Sequence, residues 1–115
     1  MEFDFGPYRI TVNMPTRAAL MDEVQRRFRA GEGFALATIN LDHLVKLADD
    51  PAFARTYAAQ DLVVADGRPI VALSRLAGRP VELLPGSDLV FPLAELAAEE
   101  TVPVALVGSS DLALA

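Results

Sequence analysis

The sequence predicts an α/β fold: a mostly parallel sheet flanked by helices, present in part and cut short at its C-terminal end. Three observations predict it. Short apolar runs at 34–39 (FALATI), 62–65 (LVVA) and 102–107 (VPVALV) sit beside Gly, Asn, Asp or Thr, as strands buried on both faces do. Amphipathic helical patterns separate the runs, which is the alternation of a parallel sheet with helices over it. Gly108-Ser109-Ser110-Asp111 then reads as a strand-to-helix turn, but only four residues follow it, and one helical turn is not stable alone. The pattern is that of a partial Rossmann-like sheet, with residues 1–115 forming the N-terminal portion of a single domain.

Each element has a local reason. Residues 8–12 (YRITV) alternate and are rich in β-formers, so a short strand is expected. Thr16 can cap a helix on which Leu20, Val24 and Phe28, with Met21 beside them, make one apolar face. Arg26, Arg27 and Arg29 occupy the opposite face, and Gly31 and Gly33 end the helix. After the strand at 34–39, Asn40 can cap a helix with a stripe of Leu41, Leu44, Val45 and Ala48. Asp49-Asp50 marks its end, and Pro51 opens another short helix at a position proline tolerates. The 62–65 strand ends at Asp66-Gly67, a turn signal. Ile70, Val71, Leu73 and Leu76 suggest a helix stopped by Gly78 and Pro80. The loop Pro85-Gly86-Ser87-Asp88 leads to a helix with Leu89, Leu93, Leu96 and Ala97 on one face.

Composition narrows the functional classes. Hydrophobic residues make up 52% of the 115-residue chain, enough for a real core, and the net charge is -6. An acidic domain repels phosphate backbones, so no nucleic-acid partner is expected. The composition offers no basic patch for an anionic membrane. There is no cysteine, hence no disulfide, thiolate nucleophile or Cys-based zinc site. His43 is the only histidine and makes no metal constellation with Asp42. The N-terminus carries acids where a signal peptide carries bases, and no run reaches the ~18 apolar residues of a membrane span. The cytoplasm is the expected compartment.

In open parallel sheets, ligands bind at the carboxyl ends of the strands. Those ends carry Thr38 with Asn40, Asp66 with Gly67, and Gly108 with Ser109; Gly86-Ser87-Asp88 adds a helix start. Asp66 is open to two readings. A partly desolvated carboxylate there can serve as a general base, but Asp-Gly is also a common strand terminator. Asn40 fits a plain N-cap, and Thr38 beside it offers a hydroxyl where anions are stabilised. Gly86-Ser87-Asp88 suits either a capped helix or a phosphate contact. Gly108-Ser109-Ser110 lacks the lysine of a P-loop and the glycine spacing of a dinucleotide fingerprint.

The motifs run in the order T-x-N, H-L-V, D-P-x-F, A-D-G-x-P-x-V, R-L-x-G-R-P, P-G-S-D-L and V-x-L-V-G. Together, from about Asp4 onward, they resemble the WecG/TagA/CpsF glycosyltransferase family. The resemblance implies transfer of a sugar, N-acetylmannosamine or a relative, from a UDP donor. The implied acceptor is a sugar on a polyprenyl diphosphate at the inner membrane face, in the synthesis of teichoic acid, exopolysaccharide or a related surface polymer. It implies inversion at the anomeric centre with no metal and no cofactor. By motif, Asp66 matches the family's general base. Thr38, Asn40, Gly67, Gly86, Ser87, Asp88, Gly108 and Ser109 fall in its substrate pocket. Leu83 stands where many members carry an arginine, a loss that matters beside a diphosphate.

Peripheral membrane contact is expected only through a C-terminal part that this chain lacks. As a partial domain the chain is expected to be weakly active or inactive, and its open sheet edge to favour homo-oligomers. Two rivals remain. One is a non-catalytic remnant that binds nucleotide-sugar or phosphate. The other is a receiver-like domain with Asp66 as phosphoacceptor, which would need an acidic cluster that Ala37-Thr38-Ile39-Asn40 does not supply.

Overall fold

The computed structural model describes residues 1–105 and 107. It opens with a hairpin of β1 (Glu2–Phe5) and β2 (Tyr8–Thr11), followed by α1 (Arg17–Ala30) and β3 (Leu36–Ile39). Then come α2 (Leu41–Asp49), α3 (Pro51–Ala58), β4 (Leu62–Ala65), α4 (Arg68–Leu76) and α5 (Gly86–Glu99). β3 and β4 pair in parallel, Leu36 against Leu62 through Ile39 against Ala65. Helices cover both faces, so the fold is mixed α/β with a small parallel sheet.

Side-chain alternation along β4 splits the core into two layers. Leu62 and Val64 join Leu20 and Val24 of α1 and Leu89 and Leu96 of α5. Val63 and Ala65 join Leu47 of α2, Ala54 and Tyr57 of α3, Ile70 of α4 and Ile10 of β2. All four β4 residues are buried, as the unbroken apolar run requires.

The hairpin was legible only in its second strand. β1 alternates Glu2 and Asp4 outward with Phe3 and Phe5 packed on the core. Gly6, at φ 62°, makes the turn that joins it to β2. Arg9 pairs across the hairpin with Asp4 at 3.0 Å. The acids that argue against a signal peptide are therefore the solvent face of a strand.

Helix ends follow the expected chemistry. The Thr16 side chain accepts from Ala19 N at 3.1 Å, and Gly31 closes α1 in the left-handed conformation at φ 69°. Asp50 ends α2 and caps α3, its carboxylate accepting from Phe53 N.

Four expectations are corrected. Residues 102–105 and 107 form no strand, and residue 106 lies outside the described residues. Apolar character alone does not make a strand: among the described residues only β3 and β4 pair in parallel, and this segment bonds back to α5 through Val102 N and Ala97 O. On α2 the buried residue is Leu47, while Leu41 and Val45 are exposed, because the helix turns its 40/43/44/47 side toward α3 and the sheet. On α4, Ile70 and Ser74 point inward, and Leu73 and Leu76 face outward. The 86–88 loop is also shorter than expected, since α5 begins at Gly86.

The free edges of the pair are partly covered. The Asn13 side chain accepts from Val63 N at 2.8 Å and donates to Asp61 O at 2.7 Å. Leu84 N donates to Ala65 O at 2.8 Å, which brings the approach to α5 alongside the end of β4. Among the described residues no helix is long and apolar enough to cross a membrane.

Candidate functional site

The carboxyl ends of β3 and β4 lie side by side because the strands are parallel and in register. Asp66 N donates to Ile39 O at 2.8 Å, extending the ladder one residue past the strands. Asp66 therefore leaves the sheet beside Asn40. Gly67 follows at φ 125°, a conformation that a side chain would strain. A Cβ there would lie 3.6 Å from Asn40 Cβ, so the backbone angle rather than space calls for glycine.

Gly86 enters from the opposite layer. Its N–H points at Asp66 Oδ2 across 3.5 Å, a long contact that leaves the carboxylate largely unengaged. A Cβ on Gly86 would meet Thr38 Cγ2 at 3.4 Å. The fold thus gathers Thr38, Asn40, Asp66, Gly67 and Gly86 at one end of the sheet. Asp66 is half-buried and forms no ion pair among the described residues.

Not every candidate points inward. The Asn40 oxygen is spent on helix capping, accepting from His43 N at 2.9 Å, while His43 Nδ1 accepts from Asn40 N at 3.1 Å. That reciprocal arrangement satisfies two donors at the helix start. It leaves the Asn40 amide NH2 and the His43 Nε2–H as donors. Ser87 and Asp88 are exposed on the first turn of α5. Gly108 and Ser109 lie outside the described residues.

Tyr57 is the residue that sequence reading missed. It is buried, and its hydroxyl donates to Thr38 O at 2.6 Å. Its ring lies 5.7 Å from that of His43 and 5.0 Å from that of Phe53. Burial, and then the negative charge of Asp66, push the phenol above its ordinary pKa. The available signal was helical spacing, since Phe53 and Tyr57 are four apart and share one face.

Helix starts and carboxylates meet at this end: Asp66, with Asp42 and Asp88 in the first turns of α2 and α5. α2, α4 and α5 all begin at this end, and neither Gly67 nor Pro85 caps its helix with a side chain. Free amide donors and the positive helix ends stabilise negative charge there. Among the described residues no group of three or more His, Cys, Asp and Glu converges as a metal site would.

The sequence model of the glycosyl transferase WecG/TagA/CpsF family matches residues 7–115. The chain belongs to this family. No curated protein and no solved structure matches it. At the shared end of the sheet the Asp66 carboxylate lies beside the starts of α2, α4 and α5. Leu83, next in sequence to Leu84, whose N–H donates to Ala65 O, is 40% exposed. It lines a groove of about 370 Å³ together with Arg68, Val71, Ala72 and Arg75.

Proposed function

We propose that this chain belongs to an enzyme that transfers N-acetylmannosamine or a related sugar from a UDP donor to a sugar carried on a polyprenyl diphosphate. Asp66 acts as the general base. It takes the proton from the acceptor hydroxyl as that oxygen attacks the anomeric carbon; the bond from that carbon to the UDP oxygen breaks, and the centre inverts. Thr38, Asn40, Gly67 and Gly86 border the pocket, Ser87 and Asp88 stand at its rim on the first turn of α5, and helix-start amides face the diphosphate. Gly108 and Ser109 belong to the same pocket by motif. No metal takes part, because the amides and the helix ends take over its electrostatic role.

The observation that carries this reading is the Asp66 carboxylate: half-buried, without a cationic partner among the described residues, and set among Thr38, Asn40 and Gly86. The test is transfer from UDP-N-acetylmannosamine to a polyprenyl-diphosphate-linked acceptor. In the whole enzyme to which this chain belongs, Asp66→Asn lowers kcat by ~10²–10⁴-fold, the usual worth of a positioned base, with UDP-sugar affinity little changed. Wild-type turnover in that variant removes Asp66 from the mechanism. Leu83, in place of a cation, favours a second reading in which the chain binds nucleotide-sugar without transferring it. Saturable UDP-sugar binding with no turnover in the wild-type chain would select that reading.

A further inference from the structure

The net charge of -6 conceals a local inversion. Between Asp66 and Glu82 the chain holds three arginines, Arg68, Arg75 and Arg79, and no acid. This segment is α4 and its return. Ile70 and Ser74 anchor the helix by its inner side, both fully buried. The Ser74 hydroxyl donates to Val71 O at 2.6 Å and accepts from Val81 N at 3.1 Å. The return is thereby tied to the helix, and Arg79 is held near its end.

The outer side is both basic and apolar. Arg68, Arg75 and Arg79 are exposed, and none forms an ion pair among the described residues. Leu76 is 86% exposed at the end of α4, with Leu73 and Leu83 about 40% exposed beside it. The arginines on α1 contrast with these: Arg26 and Arg29 are matched by Glu23, Glu32 and Glu100. Unmatched guanidinium groups around protruding leucines suit a surface that is anionic outside and apolar beneath. Arginine stems pack along the acyl boundary while their heads reach lipid phosphates, and the leucines enter below them.

We infer that the outer face of α4, with Leu83, docks on an anionic lipid bilayer. This goes beyond sugar transfer and does not depend on the role of Asp66. It departs from two expectations: that the composition offers no basic patch, and that membrane contact comes only through a C-terminal part. Because Arg68 is two residues from Asp66, docking would bring the carboxyl end of the sheet near the headgroups.

The test is flotation of the 115-residue chain with vesicles of phosphatidylcholine alone or mixed equally with phosphatidylglycerol. Binding is expected only to the mixed vesicles and weakens as salt rises. Neutralising Arg75 and Arg79 (R75Q with R79Q) weakens it by about 25-fold, roughly fivefold per guanidinium at an anionic surface. Leu76→Ser weakens it as well, with circular dichroism confirming that each variant stays folded. Arg26→Gln, the same kind of charge change on the opposite layer, leaves binding intact. Equal binding to neutral vesicles, equal loss in Arg26→Gln, or no loss in the α4 variants overturns the inference. So does concentration-dependent self-association that Leu76→Ser abolishes without any vesicle binding, which would assign the face to a second copy of the chain.

Discussion

Asn13→Ala tests how the small sheet is held. The Asn13 side chain bridges two backbone groups of β4 and its approach, accepting from Val63 N at 2.8 Å and donating to Asp61 O at 2.7 Å. Val63 is 2% exposed, so its N–H finds no water when the acceptor is removed. An unpaired buried donor costs ~1–3 kcal/mol. Asp61 is exposed, and water replaces the second bond at a cost of about 0.5 kcal/mol or less. The expected loss is therefore about 1–3.5 kcal/mol, a drop in Tm on the order of 4–14 °C for a chain of this size. Urea denaturation followed by circular dichroism measures it, as a shift in midpoint at constant slope. Asn13→Asp keeps the acceptor but sets a carboxylate oxygen against Asp61 O in place of the donor, so it costs about 1 kcal/mol. A loss under ~0.5 kcal/mol in the alanine variant, or equal losses in both, would refute the bridging account.

The remaining expectations concern the site. Leu83→Arg supplies a cation beside the proposed diphosphate pocket and tightens UDP-sugar binding by roughly 1.5–3 kcal/mol, read by calorimetry; unchanged affinity means that Leu83 does not face the phosphates. Transfer activity persists in EDTA, and a loss restored by manganese or magnesium would show that a metal takes part. Tyr57 holds its proton more tightly when folded than when unfolded. Its contribution to stability is present below the ordinary tyrosine pKa of ~10 and is lost as pH rises through the higher folded value. Tyr57→Phe removes that alkaline decline along with the hydrogen bond to Thr38 O, and an unaltered pH–stability curve would show that Tyr57 does not cause it.

Local chemistry explains why much of the frame could be read in advance. Thr16, Asn40 and Asp50 cap helices as their side chains dictate, and Gly31 ends α1 because it accepts a positive φ. The apolar run 62–65 is buried on both faces wherever such a sheet is built. The motif order, which the family match bears out over residues 7–115, is likewise a property of the linear chain. Other features depend on residues far apart in sequence. Whether 102–107 pairs as a strand depends on a neighbour, and apolar character does not supply one. Which side of α2 and α4 turns inward was decided by packing against the sheet, which buried Leu47 and Ser74 and left Val45 and Leu76 in water. Asn13, Tyr57 and the three unmatched arginines of α4 and its return acquire meaning only through partners, or the lack of them among the described residues, that folding arranges. Periodicity and capping act over a few residues, whereas hydrogen bonds across 50 residues and the charge of one face are set by tertiary structure alone.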